Sequence, residues 1–243
     1  MSTPSAVQAF NVSSWPVRSV SEVARRVSFA GFSRVADSAA ALSESFGRGL
    51  SLLMTAAVPA CVLLAVLPKP LIYAIYGQRW TAASGALRFL ALLGLLRVAF
   101  ELAYDCLVAS GRRKALIITQ GWWLVALIPV LIFAARARGI AGVGAGHILV
   151  AGPLVAPLFL WALSRAGISP LVVLRACARP FAGGVLMAAV ALALGALHLS
   201  QIPYLFVAGT AAVAVYVPVV WPLRHLARSR PEPTPAPVLE SVP

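Results

Sequence analysis

Uncharged apolar runs alternate with short basic loops along most of this chain. Residues 50–67 carry no charge, and Pro68-Lys69-Pro70 closes the run. An aromatic segment, 71–76, follows before Gly77, so that 50–76 reads as one hydrophobic unit. Further apolar runs occupy 87–109, 115–135, 139–163, 180–199 and 203–223. Each is about 18–25 residues long, and a helix of that length at roughly 1.5 Å per residue crosses a ~30 Å hydrocarbon layer. Pro59, Pro129, Pro153, Pro157 and Pro218 fall inside these runs. They do not exclude spanning helices, because neighbouring helices in a membrane bundle satisfy the freed carbonyls. The pattern predicts an all-α polytopic membrane helix bundle.

The stretch 7–35 is less apolar. At about 100° per residue, Asn11, Ser14, Arg18, Ser21, Glu22 and Arg25 gather on one face, and Ala9, Val12, Val20, Val23, Val27 and Ala30 on the other. Two readings fit: a helix lying in the membrane interface, or a span whose polar face lines a watery cavity. If it spans, the total is about seven transmembrane helices. At the other end, 224–243 holds Pro231, Pro233, Pro235, Pro237 and Pro243 with little to bury, and reads as a disordered tail. The expected organisation is 1–47 as an amphipathic helix and loop, 48–223 as the bundle and 224–243 as the tail.

Composition sharpens this. Of 243 residues, 60% are hydrophobic and 11% charged, with a mean hydropathy of +0.90. A soluble domain is about 45–50% apolar and about 25% charged, so water-soluble enzymes, disordered regulators and collagen-like chains are excluded. The net charge of +13 does not point to nucleic acid, because the basic residues are spread over short loops between apolar runs. The three cysteines, Cys61, Cys106 and Cys177, show no metal-ligand spacing. No basic n-region precedes an early apolar stretch, so targeting falls to the spans themselves. One set of alternate loops holds Arg34, Arg48, Arg112, Arg113, Lys114, Arg165, Arg175, Arg179, Arg224, Arg228 and Arg230. The other holds Arg79, Arg88, Arg136 and Arg138, with Lys69 nearby. The excess predicts that the first set, and with it the C-terminus, is cytoplasmic.

One span carries charge. Arg97, Glu101 and Asp105 follow at i, i+4 and i+8, within about 80° on one helix face, beside Gly94 and Tyr104. A charge at the middle of a span costs about 2.5–3.5 kcal/mol on insertion scales, and an inert anchor has no use for it. The stripe is either a structural Arg97–Glu101 pair or a face turned to a substrate or ion pathway. The surplus acid could titrate, or pair with a basic residue on another helix such as Arg25. His147 is expected to be a hydrogen-bonded packing residue, and the glycines at 139, 142, 144 and 146 small-residue helix packing rather than a nucleotide loop. Asn11-Val12-Ser13 matches a glycosylation acceptor only at chance level. No nucleophile–base pair, metal cluster or phosphate loop is visible, and neither catalysis nor a cofactor is expected.

Several segments together resemble a known family. They are "SSWPVRSVSEVARRVSFAGFSRV" at 13–35, "LIYAIYGQRW" at 71–80, "LRFLALLGLLR" at 87–97 and "ASGRRK" at 109–114. Their order resembles the C-terminal half of bacterial oligosaccharide flippases, of the superfamily that also holds the multidrug and toxin extrusion antiporters. The likeness runs from about residue 13 to about 163; the last two spans and the tail fit by topology alone. It implies the second of two pseudosymmetric bundles, between which a lipid-linked oligosaccharide crosses by alternating access through a basic cavity. It also favours 7–35 as a cavity-lining span. Arg18, Arg25, Arg26 and Arg97 become candidate contacts for a substrate pyrophosphate, which fixed guanidinium groups hold well in a low-dielectric cavity. In the antiporter alternative, Glu101 and Asp105 bind a proton or sodium ion and Arg97 is structural. A third alternative is an inactive or scaffolding membrane fragment.

The chain departs from the two-bundle plan in showing about seven spans. Three explanations stay open: a truncated gene, a half that pairs with a separate N-terminal half, or a half that pairs with itself. The expected partners are the lipid bilayer and the lipid-linked substrate.

Overall fold

The computed structural model describes residues 32–35, 38–197 and 200–228. Among them all regular structure is helical. Helix α1 runs Ala39–Val66, capped by Ser38, whose hydroxyl accepts from the Ala41 amide at 3.4 Å. It therefore starts well before residue 50, and 39–47, expected to be loop, is helix. The reason is a stripe at i, i+4 spacing, Leu42, Phe46, Leu50, Met54 and Val58, all fully buried.

Pro68 opens α2 (Pro68–Tyr76) at a position that has no use for an amide N–H, so the chain turns here without breaking the hydrophobic unit. Gly77, at φ +80°, ends α2. A short 3₁₀ segment, Gln78–Ala83, leads into α3, Ser84–Ala109. Gly111 (φ +72°) closes α3 in a Schellman turn: its amide donates to Val108 at 3.1 Å and the Arg112 amide to Leu107 at 2.9 Å.

Helical geometry then continues from Arg113 to Val150, through one π-helical turn at Ala151–Val155, and on to Arg165. The path nevertheless folds back on itself. A Cβ placed on Gly146 would lie 3.1 Å from the Cβ of Ala134, whereas twelve residues of straight helix rise about 18 Å. The two arms, Arg113–Ala137 and Gly142–Arg165, are α4 and α5, and they correspond to the two runs expected at 115–135 and 139–163.

Gly167 (φ +88°) repeats the Schellman turn, with Ile168 donating to Leu163 at 3.0 Å. Ser169 then caps α6, Pro170–Leu194. This helix starts ten residues before the expected 180, because Arg175 and Arg179 sit in its first turns rather than in a loop. Long basic side chains there can reach the aqueous interface while their stems stay in apolar surroundings. Helix α7, Gln201–Val220, is followed by Trp221–Leu223 in 3₁₀ form and a short α8, Arg224–Arg228. The expected tail is thus helical in its first five residues.

Helix α1 lies at the centre, packed mainly on α3 and α6, and α6 packs on α7. Two adjacent glycines allow this. A Cβ on Gly184 would come within 2.6 Å of Val58 Cγ1, and one on Gly183 within 2.8 Å of Tyr216 Cδ2. Tyr216 Oη donates to the Thr55 carbonyl at 2.9 Å, tying α7 to α1. The apolar side chains of Ile117, Val125, Phe133, Val185 and Phe206 point outwards, as a surface in contact with lipid requires.

Among the described residues five helices are long and apolar enough to cross a membrane: Ala39–Val66, Arg113–Ala137, Gly142–Arg165, Pro170–Leu197 and Gln201–Leu226. Helix α3 is as long as they are, but Arg88, Arg97, Glu101 and Asp105 set it apart. Aromatic residues gather at both ends of the bundle. Arg165 lies over Trp161 at 5.5 Å and Arg224 over Trp221 at 4.4 Å, while Tyr76 packs on Trp80 at the other end. The amphipathic stretch, with Arg18, Arg25 and Arg26, and the tail beyond Arg228 lie outside the described residues.

Candidate functional site

Helix α3 is gripped on two sides. On one, a Cβ placed on Gly94 would lie 3.9 Å from Cys61 Sγ of α1. On the other, Phe100 stacks on Phe159 of α5 at 4.9 Å and meets Trp123 of α4 edge-on at 6.0 Å. Helical periodicity places Leu90, Arg97, Glu101 and Tyr104 on the arc between these grips, and Leu90, Arg97 and Tyr104 are exposed there.

The structure brings two of the three expected stripe residues together. Arg97 Nε donates to Glu101 Oε1 at 3.0 Å, a single-nitrogen contact between side chains 70% and 28% exposed. Asp105 departs from them. It is only 5% exposed and sits at the edge of the stripe, away from the open arc. The stripe is thus an accessible ion pair with a buried acid one turn below. Arg97 lies at the middle of the 26-residue helix, about 20 Å from either end at 1.5 Å per residue. A guanidinium at that depth cannot face hydrocarbon cheaply.

The secondary candidates resolve into packing. His147 donates from Nδ1 to the Val143 carbonyl of its own helix at 3.0 Å. A Cβ on Gly144 would come within 2.9 Å of Phe89 Cβ, so that glycine serves the approach of α5 to α3. Among the described residues no group of three His, Cys, Asp or Glu is placed to hold a metal ion.

Two open cavities were not visible in the sequence. One, of about 890 Å³, lies at the Val66 end and is lined by Lys69, Gln78, Ser84 and Gln201. The other, of about 590 Å³, lies at the Ala39 end and includes Glu44, Arg48, Ser51 and Arg175. Each joins residues more than a hundred positions apart, so periodicity within one helix could not reveal them. The basic loops divide between the ends as the sequence implies. Arg48, Arg112, Arg113, Lys114, Arg165, Arg175 and Arg224 lie at the Ala39 end, and Lys69, Arg79, Arg88 and Arg136 at the other.

Known proteins share part of this chain. Residues 6–85 match a family described as "Polysaccharide biosynthesis protein". A protein of Klebsiella pneumoniae named "Uncharacterized membrane protein in cps region" is 24% identical over 141 residues, 58% of this chain and 29% of that protein. "Lipopolysaccharide biosynthesis protein WzxC" of Escherichia coli (strain K12) is 25% identical over 142 residues, again 58% of this chain and 29% of that protein. "Teichuronic acid biosynthesis protein TuaB" of Bacillus subtilis (strain 168) is 28% identical over 104 residues, 43% of this chain and 22% of that protein. The matched stretch therefore spans less than a third of each of these relatives. No solved structure matches. The likeness to polysaccharide-biosynthesis proteins read from the residues holds over part of the chain: this is a multi-pass helical membrane protein similar, over that part, to proteins named for polysaccharide, lipopolysaccharide and teichuronic acid biosynthesis.

Proposed function

We propose that this chain supplies one helix bundle of a transporter that moves lipid-linked oligosaccharide across the bacterial cell membrane during polysaccharide or lipopolysaccharide assembly. One observation carries the proposal. Arg97 and Glu101 are accessible at the middle of a membrane-length helix, on an arc that no described helix covers. Lipid is a poor neighbour for that arc, and a polar pathway closed by a second bundle is a good one. The relatives' names, which refer to polysaccharide and lipopolysaccharide biosynthesis, support a sugar-containing substrate, and a pyrophosphate-linked sugar is a suitable ligand for a guanidinium.

In this reading Arg97 contacts the phosphate oxygens and Glu101 holds the guanidinium in position. Asp105, buried below the pair, braces the helix. Arg18, Arg25 and Arg26, which lie outside the described residues, remain further candidate phosphate contacts. The second bundle comes from the same polypeptide, a separate one or a second copy. The Ala39 end is cytoplasmic, and so is the C-terminus, by the excess of basic residues there. Reporters fused after Gly111 and Gly167 should then read as inside, and one at Ser200 as outside.

The deciding experiment is reconstituted flipping of lipid-linked sugar, with the other bundle present. Arg97→Lys should reduce flipping about tenfold although it keeps the charge, because the planar fork is lost. Glu101→Gln should be milder. The antiporter reading draws on the buried Asp105 carboxylate and predicts the reverse order, with Asp105→Asn the most damaging. Normal flipping by Arg97→Lys would remove Arg97 from the substrate path. Flipping by this chain purified alone would show that no other polypeptide is needed.

A further inference from the structure

The cavity at the Ala39 end belongs to neither the α3 stripe nor the path proposed beside it. It lies between the first turns of α1 and α6 and the Trp221–Arg228 turn, with a volume of about 590 Å³, within the roughly 300–1,000 Å³ range of small-molecule sites. Its polar lining is anion-seeking. Arg48 and Arg175 both border it. The N-termini of α1 and α6 open at this end, and neither has an acidic residue in its first turn, so their amides carry uncompensated positive character. Ser51 also lines the cavity. As a residue it is only 4% exposed. A hydroxyl that borders a cavity can donate to an anion that fills it.

One acid opposes this. Glu44 Oε1 accepts from Arg48 Nη2 at 2.7 Å. Two guanidinium groups against one carboxylate leave a formal surplus of one positive charge, before the helix termini are added. Apart from Ser43, the rest of the lining is apolar or glycine, including Leu223 and Leu226. The cavity sits beside Trp221, an exposed aromatic under Arg224 and the kind of residue that marks the headgroup level of a bilayer.

We propose that this cavity binds the phosphodiester headgroup of an anionic glycerophospholipid. The phosphate lies toward Arg175, Arg48 and the Ser51 hydroxyl, and the glycerol and first acyl methylenes rest on Leu223 and Leu226. The apolar wall selects a lipid over a free anion. The site is a lipid-binding position of the bundle itself and is independent of the transported substrate.

The test is native mass spectrometry of the intact purified chain in mild detergent, after incubation with equimolar phosphatidylglycerol and phosphatidylcholine. Phosphatidylglycerol should be retained at least fivefold over phosphatidylcholine. Arg175→Gln should abolish that preference, Ser51→Ala should reduce it about threefold, and Glu44→Gln should raise it. Arg79→Gln, at the opposite end, should leave it unchanged. Arg175→Lys, which keeps the charge, should retain most of the preference and guards against a folding defect in the glutamine variant. Equal retention of the two lipids by the wild-type chain would overturn the proposal. So would an unchanged preference in a folded Arg175→Gln variant. Displacement of the lipid by millimolar inorganic phosphate would assign the site to free phosphate instead.

Discussion

Helices α1 and α3 lie side by side and are nearly the same length, 28 and 26 residues, yet they spend their polar residues differently. In α1 the charged pair, Glu44 and Arg48, sits near one end, where water is close, and the middle of the helix offers its neighbours a continuous apolar stripe. In α3 the charged pair sits at mid-depth and stays accessible. The first arrangement maximises packing and avoids charge at depth. The second accepts charge where it is most costly and leaves an arc that no described helix covers. A helix whose only task was to hold the bundle together would resemble α1. On this difference rests the proposal that α1 holds the bundle together through α6 and α7 while the open arc of α3 borders a transport path.

Substitutions can break that comparison, and the largest effect should come where α1 meets α6. Gly184→Val puts methyl groups where even a Cβ would lie 2.6 Å from Val58 Cγ1 and 3.3 Å from Val62 Cγ2. Both neighbours are branched and near the backbone, so the helices must separate. Overpacking of this kind costs about 1–3 kcal/mol, and the upper end is expected. The check is the melting temperature of the purified chain in detergent, with a clear fall and a lower yield of inserted protein. An unchanged melting temperature would show that the α1–α6 seam is looser than its geometry.

A smaller effect should follow from Tyr216→Phe. The tyrosine hydroxyl donates to the Thr55 carbonyl at 2.9 Å, and the Thr55 hydroxyl in turn donates to the Ser51 carbonyl at 2.8 Å. Hydrogen bonds between membrane helices average about 0.6 kcal/mol and reach about 1.7 kcal/mol. The ring still fills its buried site, so the loss should stay in that range in the same melt. A larger fall would mean that Tyr216 also fixes the approach of Gly183.

The sequence made the bundle legible because hydrophobic run length is a one-dimensional signal. Helices at Ser84–Ala109, Arg113–Ala137, Gly142–Arg165 and Gln201–Val220 lie close to the runs at 87–109, 115–135, 139–163 and 203–223. What it missed was set by contacts between distant residues. The early start of α1 depends on Leu42 and Phe46 finding partners, Phe32 among them at 6.3 Å, and the early start of α6 on Ser169 capping a helix whose first turns carry arginines. The same holds for the candidate site. The i, i+4 spacing of Arg97 and Glu101 announced the ion pair. Helical angle alone could not separate Asp105 from it, because burial depends on the neighbour that covers one edge of α3. Ser51 and Arg175, far apart in sequence, gave no local signal at all.

The smallest effect on stability should come from the pair that marks α3 as different, and there the comparison is sharpest. An exposed i, i+4 pair contributes about 0.3–0.5 kcal/mol, and Arg97 is 70% exposed. If the arc faces water or a second bundle, Arg97→Leu should change the melting temperature and the inserted amount only slightly, while flipping of lipid-linked sugar falls severely. If the arc faces lipid, removing a guanidinium from mid-depth should relieve about 2.5–3.5 kcal/mol, and the inserted amount should rise. A structural pair predicts a third outcome. Each single neutralisation, Arg97→Leu or Glu101→Leu, would lower the inserted amount, and the double change would restore it, because no unmatched charge would then remain. Measuring inserted protein and flipping on the same four chains, wild type, two singles and the double, separates the three cases. Only the first leaves stability almost unchanged while transport is lost, and it is the outcome expected of a helix kept polar for passage rather than for packing.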